Sequence, residues 1–301
     1  MYMYKPPTSR IEREDPLATR LQTAGLALAT GIAALAAVIA YSAHGTERDI
    51  ADFETRVAAL AQLHPAPAWD STAQRVLPEP VQRYFRFTFP GEPPRYRSVS
   101  LDASGQFRRP LTDDFNSTTA RQVIAVGVPA LMFSATTPVF PGVWARAYDF
   151  FANGEMEMKA KVLSTLTVVD ERETPELNEI SLRRWLLESA LYPAALLPGG
   201  PVRWEALDDH SARAIVSWGG MSSSLVAHFA PDGRMTHMQT EVDGDLSTPY
   251  HGSGEHVARS GYEKVGGQMI PMEFTISRMA AGQLHPFWRG RVDQIRFDQG
   301  P

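Results

Sequence analysis

Residues 254–279 read GEHVARSGYEKVGGQMIPMEFTISRM. Gly266-Gly267 divides this stretch into Gly254–Val265 and Gln268–Met279, two runs in which large and small or polar side chains roughly alternate. A period of two puts successive side chains on opposite faces of a strand. A pair of glycines between two such runs supplies the backbone freedom that a tight hairpin needs. The stretch therefore predicts two adjacent antiparallel strands, and the same pattern extends in both directions along the chain.

Toward the C-terminus, Phe287–Phe297 reads as a closing strand. Upstream, Leu225–Ala230 and Met235–Val242 flank Pro231-Asp232-Gly233, and Val202–Leu207 and Arg213–Trp218 flank Asp208-Asp209-His210. Both intervening triplets are turn chemistry. Tyr96–Phe107, Val123–Phe133, Val143–Phe151 and Met156–Val169 complete the strand set. Ile180–Leu197 interrupts it with helical spacing and stops at Pro198-Gly199-Gly200. No alternation of strand and helix suggests a parallel sheet. The expected fold class is α+β: one large curved antiparallel sheet, half-barrel-like, with a few helices.

Leu21–Ala43 contains no charged residue over about 23 positions. At 1.5 Å per residue this covers a hydrocarbon core of roughly 30 Å. Lys5, Arg10, Arg13 and Arg20 precede it, whereas Arg48 and Arg56 follow. The positive-inside rule then places the N-terminus in the cytoplasm and the remainder outside. The run exceeds the apolar length of an ordinary signal peptide, so it reads as an uncleaved, single-pass anchor in the cytoplasmic membrane. The bilayer is the expected partner of residues 21–43.

The chain accordingly divides into a tail (1–20), a transmembrane helix (21–43), an amphipathic helix with a Pro-rich linker (44–76) and a β-rich extracytoplasmic domain (77–299). Ile50, Phe53, Val57 and Leu60 give the amphipathic helix one apolar stripe, at a spacing that can continue the membrane helix.

A hydrophobic share of 44% and a charged share of 21% belong to folded domains rather than disordered ones. The net charge of −5 removes the basic footprint that nucleic-acid binding requires. With no cysteine, disulfides, thiolate metal sites and a cysteine nucleophile are excluded.

Other chemistry is sparse. His251-Gly252-Ser253-Gly254-Glu255-His256 is one residue too long for a His-x-x-Glu-His site and reads as a loop. His228 and His237 face each other across a hairpin without a third ligand at metal-site spacing. No catalytic residue, metal site or cofactor is expected. Glu188, inside an apolar helix, needs a buried partner, and Arg83 is the expected one. Trp144, Tyr148, Met156, Met158, Trp204 and Met272 supply the flexible thioethers and flat rings of an adaptable apolar site, and are the expected ligand-binding residues.

Two stretches resemble a bacterial family known only as a domain of unknown function. One is Leu77-Pro78-Glu79-Pro80-Val81-Gln82-Arg83-Tyr84-Phe85, similar to a Pro-x-Pro-Val-x-Arg-Tyr opening. The other runs from Glu188 to Pro198 and on through Val202-Arg203-Trp204-Glu205. The resemblance covers residues 70 to 297 and carries no functional residue with it. Tyr262–Met272 also looks like a hairpin of periplasmic lipoprotein-carrier half-barrels, which implies an acyl-chain ligand by analogy of fold. Three functions stay open: a tethered domain binding a lipid or another apolar ligand, an envelope enzyme, and a structural domain without ligand. An apolar cavity favours the first, charged residues converging in a cleft the second, and a filled core the third.

Overall fold

The computed structural model describes residues 16–108, 112–244, 246 and 254–299. His251, Gly252 and Ser253 lie outside the described residues, as does most of the N-terminal tail.

Among the described residues, four α-helices and thirteen strands make up the fold. α1 (Pro16–Leu63) is followed by the single turn α2 (Ser71–Gln74) and by α3 (Glu79–Thr88). Six strands come next: β1 (Ser98–Arg108), β2 (Phe115–Ala125), β3 (Ala130–Phe140), β4 (Val143–Ala152), β5 (Glu155–Val162) and β6 (Leu166–Arg172). α4 (Pro175–Glu188) then leads to β7 (Val202–Ala206), β8 (Ser211–Trp218), β9 (Met221–Phe229) and β10 (Met235–Gln239). The last three are β11 (His256–Val265), β12 (Gln268–Ala280) and β13 (Gln283–Asp298).

All thirteen strands belong to one sheet, in the order β6-β5-β4-β3-β2-β1-β13-β12-β11-β10-β9-β8-β7, and every pairing is antiparallel. The chain meanders outward from β1 to one edge, crosses the concave face through α4, and meanders back from the other edge until β13 pairs with β1. At that seam Gly105 faces Gly290. A Cβ on Gly105 would come within 2.1 Å of the Arg289 carbonyl oxygen, so only glycine permits this approach. The Phe274 ring covers the Gly290 side of the gap.

The hairpin at Gly266-Gly267 forms as the sequence predicts, with φ of 57° and 86°, which suits a type I′ turn. Two expected strands are each two strands. Val123–Phe133 is broken at 126–129, where the β2–β3 turn is buried against the end of α1. A Cβ on Gly127 would lie 2.3 Å from the carbonyl oxygens of His64 and Pro65. Because the turn is buried it is apolar, and the usual polar markers are missing. Met156–Val169 is broken at Leu163 and Ser164, which adopt positive φ without being glycine. The helix expected over 180–197 is α4 plus two short 3₁₀ turns, Ser189–Leu191 and Pro193–Leu196. α4 starts earlier because Thr174 caps it, accepting from the Leu177 amide at 3.2 Å, with Pro175 at the first helical position. Pro193 lacks an amide hydrogen and cannot continue an α-helix.

The membrane-length segment and the amphipathic helix form one continuous helix, α1. It has 48 residues, or about 72 Å at the standard rise. It is the one described helix long and apolar enough to cross a membrane. Its first half is bare: Leu26, Leu28, Ile32 and Leu35 are at least 60% exposed. Its second half docks on the convex face of β2–β4. Ile50, Val57 and Ala61 are buried there with Val128, Met132 and Phe150, and Phe53 stacks on Phe150 at 4.2 Å. Ion pairs fix the level, Glu47 to Arg146 at 2.8 Å and Arg56 to Glu155 at 2.8 Å. The main core lies on the concave side, between the sheet and the layer formed by α3, α4 and the 3₁₀ turns.

Where the chain is cut therefore matters. Each of Ile50, Phe53, Val57 and Leu60 withdraws roughly 1.5–3 kcal/mol of apolar surface from water when fully buried. A fragment beginning at residue 44 should be soluble and melt cooperatively. A fragment beginning at residue 75 should aggregate or melt well below it, because the convex patch is uncovered. Equal melting temperatures would show that the docked half of α1 adds no stability.

Candidate functional site

Register creates a trough in the concave face. Ala103 pairs with Ala120, Ala120 with Ala135, Ala135 with Ala147, and Ala147 with Ala160. Directly paired residues project to the same face, so five strands contribute a continuous row of methyl groups. At about 4.8 Å between strands the row is about 19 Å long. One row further along the strands stand Leu101, Gln122, Phe133, Asp149 and Met158, again in register. α4 and the turn after it form the roof through Arg184, Glu188 and Leu191. Phe274, Ile276, Trp288 and Val292 of β12 and β13 form the opposite wall.

The short alanines leave this space unfilled. The volume open to the centre of a water-sized sphere is about 80 Å³, several times the roughly 10–15 Å³ that one water needs.

One end of the cleft is polar and buried. Arg184 donates from Nε to Glu188 Oε1 at 3.0 Å and from Nη1 to Asp149 Oδ2. Gln122 donates from Nε2 to Glu188 Oε2 at 2.6 Å. The Arg184 guanidinium also lies over the Phe133 ring, 4.7 Å from its centroid. Asp149, Arg184 and Glu188 are each at most 5% exposed. Burial raises the Asp149 carboxyl to about 6, against the lowering effect of Arg184. Asp149 Oδ1 has no hydrogen-bond partner, nor has Nε of the buried Arg259 across the cleft.

Glu188 thus finds its cation four residues earlier on its own helix, at Arg184. Arg83, the expected partner, is instead near the surface. It donates to the Asp209 carbonyl oxygen and lies 3.9 Å from Glu79. Of the six expected ligand residues, Met158 and Tyr148 border the cleft. The Tyr148 ring is on the other face, 5.7 Å from Phe53, with its hydroxyl donating to Glu157 at 2.7 Å. Trp144 shares that face of β4 by strand alternation. Met156 and Met272 are buried in the main core, and Trp204 packs beside it, donating from its indole to the Leu196 carbonyl oxygen at 3.1 Å.

His256 joins His228 and His237 on neighbouring strands. The rings stack at 4.2 and 5.3 Å between centroids. Stacking turns the ring faces together and does not converge their nitrogens. Among the described residues no three His, Asp or Glu are placed to hold a metal. Burial lowers all three histidines, His237 to about 4. Asp208 accepts from the His210 amide at 2.7 Å and from Ser211 Oγ at 2.8 Å, which makes Asp208-Asp209-His210 a hairpin tip.

Residues 75–297 match a family of unknown function, DUF6920. The chain belongs to that family. The DUF6920 match takes in the sheet up to Phe297 and the whole cleft, and leaves out α1. No curated protein matches the chain.

The buried pair gives two tests. Glu188→Ala should destabilise the protein by about 3–5 kcal/mol, because Arg184 loses one of its two carboxylates in a dry site. Glu188→Gln should cost less, since its amide oxygen still accepts. Equal thermal melts for wild type and Glu188→Ala would contradict the pair. For Asp149, the folded state holds a proton up to about pH 6 that the unfolded chain releases near the ordinary aspartate value of 3.8. Its contribution to stability is therefore fully present below the unfolded value and lost as pH rises toward 6. Melts of Asp149→Asn across pH 4–6 should improve relative to wild type as pH rises; a constant difference would refute this titration.

Proposed function

We propose that the chain is a membrane-tethered domain that binds a lipid or another apolar ligand in the alanine trough. The carrying observation is the row from Ala103 to Ala160, which leaves an apolar slot under α4 where larger side chains would fill the core. An apolar ligand there is withdrawn from water at about 25 cal/mol per Å², and the tether keeps the domain close to its bilayer source.

The bare half of α1 supports the tether, since an apolar helix exposed on all sides is a membrane span. The excess of Lys and Arg before it supports a cytoplasmic N-terminus and an extracytoplasmic domain at the cytoplasmic membrane. A further feature agrees. Lys161 donates to Thr46 at 3.1 Å, so the far ends of β4 and β5 reach the level at which α1 leaves the apolar segment. The adjoining hairpin ends carry Phe140 and Leu166, 69% and 64% exposed. Apolar tips at this height suit the membrane interface.

An envelope enzyme is the second reading, favoured by Asp149, Glu188, Arg184 and Arg259 converging on one cleft. Under that reading a supplied lipid is recovered chemically altered, and Asp149→Asn stops the change.

Native mass spectrometry of the full chain, released from detergent in the gas phase, separates these readings from a ligand-free structural domain. The expected result is a retained lipid mass on the wild type and its loss from Ala135→Phe, whose ring occupies the trough. A wild-type spectrum without adduct, after purification from membranes and after incubation with lipid extract, would reject ligand binding.

A further inference from the structure

The cleft contains a cation that the protein itself does not neutralise by contact. Arg259 stands on β11 opposite Phe274 and is 6% exposed. Among the described residues no carboxylate lies within salt-bridge distance of it. Its Nη2 reaches the Leu187 carbonyl oxygen at 3.5 Å, and its Nε has no partner. Glu188, whose field acts on it, already accepts from Arg184 and Gln122. A guanidinium cannot lose its proton in a protein, so burial leaves a charge on a residue that lines the cavity and one N–H without a partner. Such a group is costly unless an anion completes it.

The surroundings restrict what that anion can be. Its neighbours along the cleft are Phe274, Ile276 and the alanine row, which accept hydrocarbon and offer few donors. The nearby carboxylates are already engaged, Glu188 by Arg184 and Gln122 and Asp149 by Arg184, which leaves Arg259 as the cation without an anion. An anionic head therefore belongs at Arg259, with its chain directed along the row.

We propose that Arg259 binds the anionic head of a single-chain amphiphile whose hydrocarbon lies in the alanine trough. This rests on the ligand-binding reading above and adds the chemistry of the head. Arginine presents directional N–H donors to planar carboxylates and to phosphates alike, and charge-assisted bonds of this kind are about twice as strong as neutral ones. A fatty alcohol of equal length offers the same chain without the charge.

The test uses the full chain in lipid nanodiscs with three photoreactive probes of matched length: palmitate, hexadecyl phosphate and hexadecanol. Labelled peptides from β1–β4, β12 and β13 are quantified by mass spectrometry. Wild type should be labelled in the cleft at least tenfold more by an acid probe than by the alcohol. Comparison of the two acids separates a carboxylate from a phosphate head. Arg259→Gln should reduce acid labelling to the alcohol's level, whereas Arg259→Lys, which keeps the charge, should retain part of it. Equal cleft labelling of wild type by all three probes would overturn the head assignment and leave the trough reading standing; that comparison needs no variant. Equal acid labelling of wild type and Arg259→Gln would overturn it too. No cleft labelling by any probe would overturn both.

Discussion

Two consecutive arginines hold α4 across the concave face. Arg184 reaches Asp149 on β4, while Arg183 lies 3.8 Å from Glu255 beside β11. Glu188, one turn on, is tied through Gln122 to β2. Trp185 adds an indole bond to the Ala125 carbonyl oxygen at 2.9 Å. Between these attachments the helix cannot settle onto the sheet, and the alanines beneath it cannot reach up. The trough is what remains. Buried ion pairs are poor sources of stability in themselves, because desolvation offsets the attraction. Here their geometric role is plain: they set the height of a roof.

The two faces of the sheet then serve different ends. The convex face is a packed interface, with Phe53, Val57 and Ile50 against Met132, Val128 and Phe150. It fixes the sheet to the same helix that carries the membrane-length segment. No flexible linker separates the membrane-length segment from the domain, because α1 runs unbroken from one to the other. The concave face is the one left incomplete, with Asp149 Oδ1 and Arg259 Nε buried without a partner beside the cleft.

Much of this fold is legible in the residues. Gly266-Gly267 and Pro231-Asp232-Gly233 announce hairpins because positive φ and turn chemistry are written in residue type. The turns at 126–129 and at Leu163-Ser164 are not, because packing rather than composition holds them. Burial of Glu188 follows from its apolar neighbours, and Arg184 stands at the i−4 position where a helical partner belongs; distance along the chain made Arg83 equally available until the fold placed it. The site itself is the least legible part. Alanines at 103, 120, 135, 147 and 160 are unremarkable one by one, and only the register of four antiparallel pairings puts them in a line. Of the six aromatic and methionine residues expected at the site, Met158 and Tyr148 alone border the cleft, whose floor is made by small residues.

The absence of cysteine from the chain allows a direct measurement of the trough. Ala135→Cys places a single thiol in the middle of the row. Its rate of reaction with a small maleimide, measured on the full chain in membranes, reports whether the slot is occupied. The account predicts slow labelling in native membranes, faster labelling after lipid is stripped with detergent, and renewed protection when palmitate is added. A rate that stays the same through stripping and addition, at a thiol that still reacts, would contradict the claim that the trough is a ligand site.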